Sequence, residues 1–187
     1  MTDDIDICVK AIHDSPIKFV FFYTGGGSYA SHMLTTVPGA SSSILEVVCP
    51  YSRKSMVDIL GSEPDQYVSI MTVEELAKQA YERALYLNDS ENKEYIYGVS
   101  CSCALATTYK KKGEHKFAVG IYDGTKIHSF ISVITKDRAR REEDELVGRT
   151  VLSFLGCITG ITPTLNVPSE FHFPENSPET TPETTHN

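Results

Sequence analysis

Ile17-Lys18-Phe19-Val20-Phe21-Phe22-Tyr23 runs directly into Thr24-Gly25-Gly26-Gly27-Ser28, and the fold is read from this junction. A nearly continuous apolar and aromatic run that stops at glycines has the signature of a strand buried on both faces. Ser28 to Thr35 then reads as a helix. A glycine bend between such a strand and a helix leaves main-chain N–H groups at the positive end of the helix dipole, where a phosphate or carboxylate is stabilised. Gly25, Gly26, Gly27 and Ser28 are therefore the expected ligand-binding loop. The stretch lacks the Lys-Ser/Thr ending of a P-loop and the full spacing of a dinucleotide fingerprint. Glycines that merely allow positive φ and close strand–helix packing would look the same, so both readings stand. Ser28 is read as the helix N-cap or as a stand-in nucleophile.

Upstream, Ile5, Cys8, Val9 and Ile12 carry a helical period over Asp3 to Ile12, stopped by Pro16. Downstream, Val37-Pro38-Gly39 breaks the second helix, and Ile44 to Cys49 predicts a second buried strand. A short helix follows and closes at Gly61. Thr72 with Glu75 forms an expected capping box, ahead of a long helix marked by Val73, Leu76, Ala77, Ala80, Tyr81, Ala84 and Leu85. Three strands are expected at Tyr95 to Ala106, Phe117 to Tyr122 and Ile127 to Ile134. Asp123-Gly124 is a hairpin signal that makes part of the sheet antiparallel. A charged run from Asp137 leads into a last helix with Leu146, Val147, Thr150, Val151, Phe154 and Leu155 on its buried side and Gly156 as its cap. The sum is an α/β domain over residues 1–162. Residues 163–187 form a tail rich in Pro, Glu and Thr, with too few apolar groups to offset the entropy of ordering, and are expected to be disordered.

With 187 residues, 41% of them hydrophobic, the chain can bury one substantial core. A formal charge of -8 argues against a broad grip on nucleic acid or an anionic membrane. No run approaches the roughly 20 apolar residues of a membrane span, and the acidic start lacks the basic region of a secretory signal, so a cytoplasmic location is expected. The five cysteines, Cys8, Cys49, Cys101, Cys103 and Cys157, are odd in number and sit mostly in apolar runs, which suggests reduced, buried thiols. Cys101 and Cys103 share a strand face, but no second Cys or His pair with zinc-like spacing accompanies them; neither a metal nor a cofactor is expected.

Thr24 to Ser28, Val37-Pro38-Gly39-Ala40-Ser41, Pro50-Tyr51-Ser52 and Leu60-Gly61 resemble the C-terminal domain of the CinA family. That domain's usual pattern is Glu-Ser-Cys-Thr-Gly-Gly, a Pro-Gly-Ser-Ser turn and Tyr-Ser-Asn-Glu-x-Lys. The similarity covers Ile17 to Gly156 and implies a three-layer α/β/α sandwich with a mixed sheet. It also implies an amidohydrolase acting on nicotinamide mononucleotide through a Ser nucleophile, a Lys base and a Tyr. Without gaps, the nucleophile position falls on Thr24, the Tyr on Tyr51 and the Lys on Met56, while a family hydroxyl position falls on Ser102. Methionine cannot take a proton, so the base is missing unless Lys54 or Arg53 reaches back. A divergent branch of the family also carries a Lys-Gly-x-His segment and an Arg-x-Arg-x-Glu-Glu segment, matched here by Lys112 to His115 and Arg138 to Glu143.

From these segments His115 and Arg138 join the expected ligand-binding residues, as a base or phosphate donor and as a guanidinium fork. Arg140 and Arg141 are assigned to an exposed ion-pair network with the neighbouring acids. Three functions follow. The first is a catalytically degenerate binder of a nucleotide or other phosphorylated small molecule. An active amidohydrolase with a rearranged centre, using Thr24 or Ser28 with Lys54 or His115, is the second. The third is an interaction or assembly module with a vestigial cleft. The sequence leaves a homo-oligomer open.

Overall fold

The computed structural model of the chain describes residues 4–109, 112–134 and 138–161. The expected tail from residue 163 lies outside the described residues. One five-stranded sheet forms the middle layer, in the order β2-β1-β3-β4-β5. Its strands are β1 (Lys18–Thr24), β2 (Ile44–Val48), β3 (Ile96–Ala104), β4 (His115–Tyr122) and β5 (Ile127–Ile134). β1 is parallel to both neighbours, and β4 is antiparallel to β3 and to β5. The sheet is therefore mixed, as expected.

The apolar run of β1 is explained by its central position. Phe19 and Phe21 point into a core shared with α1 (Asp4–Asp14), α2 (Ser28–Thr36) and α6 (Arg140–Ile158). Val20 and Phe22 point the other way, into a core with α4 (Arg53–Leu60) and α5 (Ile70–Leu87). Successive side chains alternate faces, so a strand covered on both sides has to be apolar throughout. The α1/α2/α6 side also stacks Phe117, Phe130 and Phe154, with edge-on ring centroids 6.0 and 4.9 Å apart.

Several local expectations are corrected. The strand over Ile44 is half-buried rather than buried, because β2 is an edge strand with one neighbour. A four-residue helix, α3 (Ala40–Ser43), follows Gly39 where only a break was expected. The cap of α5 is Ser69, whose hydroxyl accepts from Thr72 N–H at 3.2 Å, so the helix begins ahead of the expected Thr72 box. Gly156 lies inside α6, whose cap is Thr159. Gly61 does end α4 in the left-handed conformation, and Asp123 organises the β4–β5 hairpin by accepting from Thr125 and Lys126 N–H at 2.7 and 2.6 Å. Three of the five cysteines are buried, whereas Cys49 and Cys157 are exposed; all five are free thiols. No described helix is long and apolar enough to cross a membrane.

Candidate functional site

The parallel strands β1 and β3 end side by side, with Thr24 opposite Ser102. Loops therefore gather over this end of the sheet, where ligands bind in open α/β sheets. They enclose a cavity of about 290 Å³, walled by Thr24, Gly25, Tyr51, Arg53, Met56, Tyr67, Val68, Ser102 and Cys103. All four positions carried by the resemblance, Thr24, Tyr51, Met56 and Ser102, meet in this one cavity. They come from β1, the β2–α4 loop, α4 and β3.

Both aliphatic hydroxyls in the cavity, those of Thr24 and Ser102, are already engaged. Thr24 Oγ1 donates to the Pro50 carbonyl at 3.0 Å, and Ser102 Oγ donates to the Tyr67 carbonyl at 2.5 Å. A carbonyl holds a hydroxyl proton in place without removing it, so neither oxygen is activated as a nucleophile. Met56 is 1% exposed and packs with Val20 and Phe22, as an apolar side chain should where an ammonium would be costly. Arg53 reaches the wall but bonds Glu63 at 2.5 Å, and Lys54 is exposed and absent from the wall. Burial pushes the Cys103 thiol well above its ordinary value, and desolvation followed by the charge of Glu63 raises the Tyr67 phenol. Neither group is then poised to take a proton near neutral pH.

The glycine bend departs from the open anion cradle expected of it. Asp144, from the first turns of α6, occupies the start of α2. Its Oδ1 accepts from Gly27 and Ser28 N–H at 2.6 and 3.2 Å, and its Oδ2 accepts from Tyr29 N–H at 2.9 Å and from the Ser28 hydroxyl at 2.5 Å. The carboxylate thus sits where an external phosphate was expected, satisfying the same donors and dipole. Ser28 is not the N-cap; Gly27 is, at φ 99°, and Ser28 is the first helical residue. Gly25 is required by close packing on the backbone of β3, whereas Gly26 faces the movable end of the Leu105 side chain. A Cβ on Gly25 would lie 2.0 Å from the Cys103 carbonyl oxygen, and one on Gly26 would lie 2.5 Å from Leu105 Cδ1.

His115 and Arg138 do not line the cavity. His115 Nδ1 lies 2.6 Å from Glu143 Oε1, and Glu143, which is fully buried, also accepts from Ala106 N–H at 2.6 Å. The Lys-Gly-x-His and Arg-x-Arg-x-Glu-Glu segments therefore meet at the buried Glu143 carboxylate, which ties Ala106, just past β3, to His115 at the start of β4. Arg140, expected in a surface network, is the arginine at the cavity rim. Its guanidinium donates to the Ala106 carbonyl at 2.9 Å, the Gly25 carbonyl at 2.8 Å and the Tyr51 hydroxyl at 3.1 Å. Arg140, Glu143 and Asp144 together clamp the loops that follow β1, β2 and β3. In the sequence Arg140 and Glu143 fall in the Arg-x-Arg-x-Glu-Glu segment, but for Asp144 the visible signal is the charge run, which reads equally well as a solvated helix start.

The chain matches solved structures over most of its length. The protein CihA of Agrobacterium tumefaciens, a competence/damage-inducible protein, superposes with a TM-score of 0.68 at 16% identity, covering 84% of this chain and 97% of that one. This chain has the CinA fold. A CinA-superfamily protein of Enterobacter cloacae gives 0.62 at 18% identity, covering 87% and 95% of the two chains. Another, from Escherichia coli, gives 0.56 at 15% identity, covering 81% and 86%. No family model matches the chain, and no curated protein sequence does either. The CinA likeness read from the glycine loop and the Tyr51 turn thus extends to the three-layer architecture.

Proposed function

We propose that this CinA-fold chain binds a nucleotide or other phosphorylated small molecule in the cavity between Thr24, Tyr51 and Ser102 without hydrolysing it. The observation that carries the reading is the state of the two hydroxyls: each donates its proton to a main-chain carbonyl, and no wall side chain is fitted to accept one. Attack on an amide by a neutral hydroxyl requires such an acceptor. With Asp144 seated on the amides of Gly27, Ser28 and Tyr29, recognition of an anionic group passes from the glycine loop to Arg53 and Arg140 at the wall and rim. Tyr51, 65% exposed, offers a ring face beside them. Five free thiols suit action in a reducing, cytosol-like compartment.

The test uses the full chain and nicotinamide mononucleotide. Ammonia release should not exceed the buffer rate, whereas pyridine nucleotides or related nucleoside phosphates should raise the melting temperature, with about 2.7 kcal/mol of stabilisation at a hundredfold excess over Kd. Arg140→Ala should abolish that rise. Steady ammonia production that disappears in Thr24→Ala or Ser102→Ala would refute the non-hydrolytic reading. A melting point unmoved by every nucleotide tried would refute the ligand assignment.

A further inference from the structure

The two edges of the sheet are built differently. β2 is five residues long and carries Glu46, which holds Arg83 in a two-pronged ion pair at 2.8 and 2.9 Å. Short length and charge are the usual means by which an edge strand avoids pairing with another chain. β5 has neither: its eight residues, Ile127 to Ile134, include no Asp, Glu, Lys, Arg or Pro. Among the described residues no segment pairs with its outer side. Ile131 and Val133, on the α5 side of the strand, are 43% and 40% exposed. A chain of net charge -8 repels its copies in general, but β5 places no charge of its own in the way.

We infer that β5 is a homodimer interface, pairing antiparallel with β5 of a second copy about a two-fold axis at Ile131 to make one continuous ten-stranded sheet. Residues opposite one another in an antiparallel pair share a face, so an axis normal to the sheet must fall on a residue and not between two. Centred on Ile131, the pairing sets Ile131 against Ile131 of the copy and Val133 against Ser129 of the copy. Both exposed apolar side chains are thereby covered, in the corner that α5 leaves open beyond β4.

The same register is favoured by charge. Lys116 lies beside Val133 on β4, on the α5 side, and has no ion-pair partner among the described residues. Glu74 of α5 reaches over β5 to accept from Ser129 Oγ at 2.6 Å. In the dimer, Lys116 of one copy and Ser129 of the other stand in one row, about 10 Å apart at the Cα atoms by the spacing of two strands. A lysine side chain spans most of that gap, so Lys116 meets Glu74 of the copy, and symmetry makes the contact twice. Cross-strand pairs of opposite charge support such a register, while like charges in the same places oppose it.

Light scattering on the full chain at micromolar concentration should give twice the 20.7 kDa of one chain. Ile131→Lys, which faces two ammonium groups at the axis, should raise the dissociation constant about 100-fold or more. Its far-UV circular dichroism should stay that of the parent, since the side chain is exposed in the single chain. Lys116→Glu alone and Glu74→Lys alone should each weaken the dimer, and the two together should restore it. That restoration is specific to this register, because a different interface has no reason to couple the two positions. A monomeric parent, an Ile131→Lys variant that dimerises like the parent, or a double variant no better than its singles would overturn the inference. So would a monomer whose β5 amides resist hydrogen exchange, which would put another part of the same chain on the edge.

Discussion

Replacing Asp144 by alanine empties the start of α2 of its carboxylate. Three main-chain N–H groups and one hydroxyl lose their acceptor at once, with the shortest bonds, 2.6 and 2.5 Å, made by Gly27 N and Ser28 Oγ. Bonds to a charged group contribute about 1.5–3 kcal/mol each when nothing replaces them. Ser28 is exposed, so water reaches part of the emptied site and the four losses do not add. A lost cap costs up to about 2 kcal/mol, and a carboxylate at a helix N-terminus contributes a further ~0.3–1 kcal/mol through the dipole. The expected destabilisation is ~2–3 kcal/mol, a fall of roughly 5–10 °C in melting temperature for a domain of this size. Asp144→Asn keeps one acceptor oxygen but turns an NH₂ toward the remaining donors, so it should lose about half as much. Thermal unfolding followed by far-UV circular dichroism at pH 7 measures both. In the alanine variant, inorganic phosphate should restore more stability than sodium chloride at matched ionic strength, an effect absent from the parent. An alanine variant melting within about 1 °C of the parent would refute the argument that this carboxylate holds the loop.

Two further outcomes follow from geometry. Gly25 and Gly61 both have left-handed backbone, φ 72° and 76°, but a Cβ on Gly25 would meet the Cys103 carbonyl oxygen at 2.0 Å while one on Gly61 meets nothing within 4 Å. Gly61→Ala should therefore cost only the ~1–2 kcal/mol of the strained backbone, and Gly25→Ala ~3 kcal/mol or more, as read from urea midpoints. His13 is buried between α1, α2 and α3, donating from Nε2 to the Leu34 carbonyl at 3.0 Å and accepting at Nδ1 from Ser43 Oγ at 2.7 Å. Desolvation by burial lowers its pKa below the ordinary 6.5, with the nearby Lys10 charge acting in the same direction. The unfolded chain then binds this proton more readily, so the stability is fully present above pH 6.5 and is lost as pH falls through the folded-state value. Melting curves from pH 7.5 to 5 should show that loss in the parent and a shallower one in His13→Gln; equal slopes would contradict it.

The middle layer was legible because its cues are local. The both-faces pattern of β1 and the Asp123-Gly124 hairpin need only neighbouring residues to be read, and β5 falls where alternation and turn place it. α3 was missed because Ala40-Ser41-Ser42-Ser43 has no apolar period to betray a single turn. At α5 two overlapping cap patterns compete, and Ser69 prevails because the Thr72 hydroxyl is spent on the Gln66 carbonyl. Four residues of the cavity wall, Thr24, Tyr51, Met56 and Ser102, were legible only through the resemblance to the CinA pattern, which carries them as one set. The rim was not. Which arginine of the 138–141 run turns inward depends on where α6 begins, and the seat of Asp144 depends on a contact spanning more than a hundred residues.

The clamp at the head of α6 also orders events during synthesis. The residues it grips, Gly25 through the Arg140 guanidinium and Gly27 through the Asp144 carboxylate, precede it by 115 and 117 positions. Contacts that distant form late, because the intervening chain must first be brought together. A ribosome delivering this polypeptide will therefore expose β1 and its glycine bend long before their fastener exists, and a nascent chain halted ahead of Arg140 carries a sheet whose cavity rim has yet to be shaped.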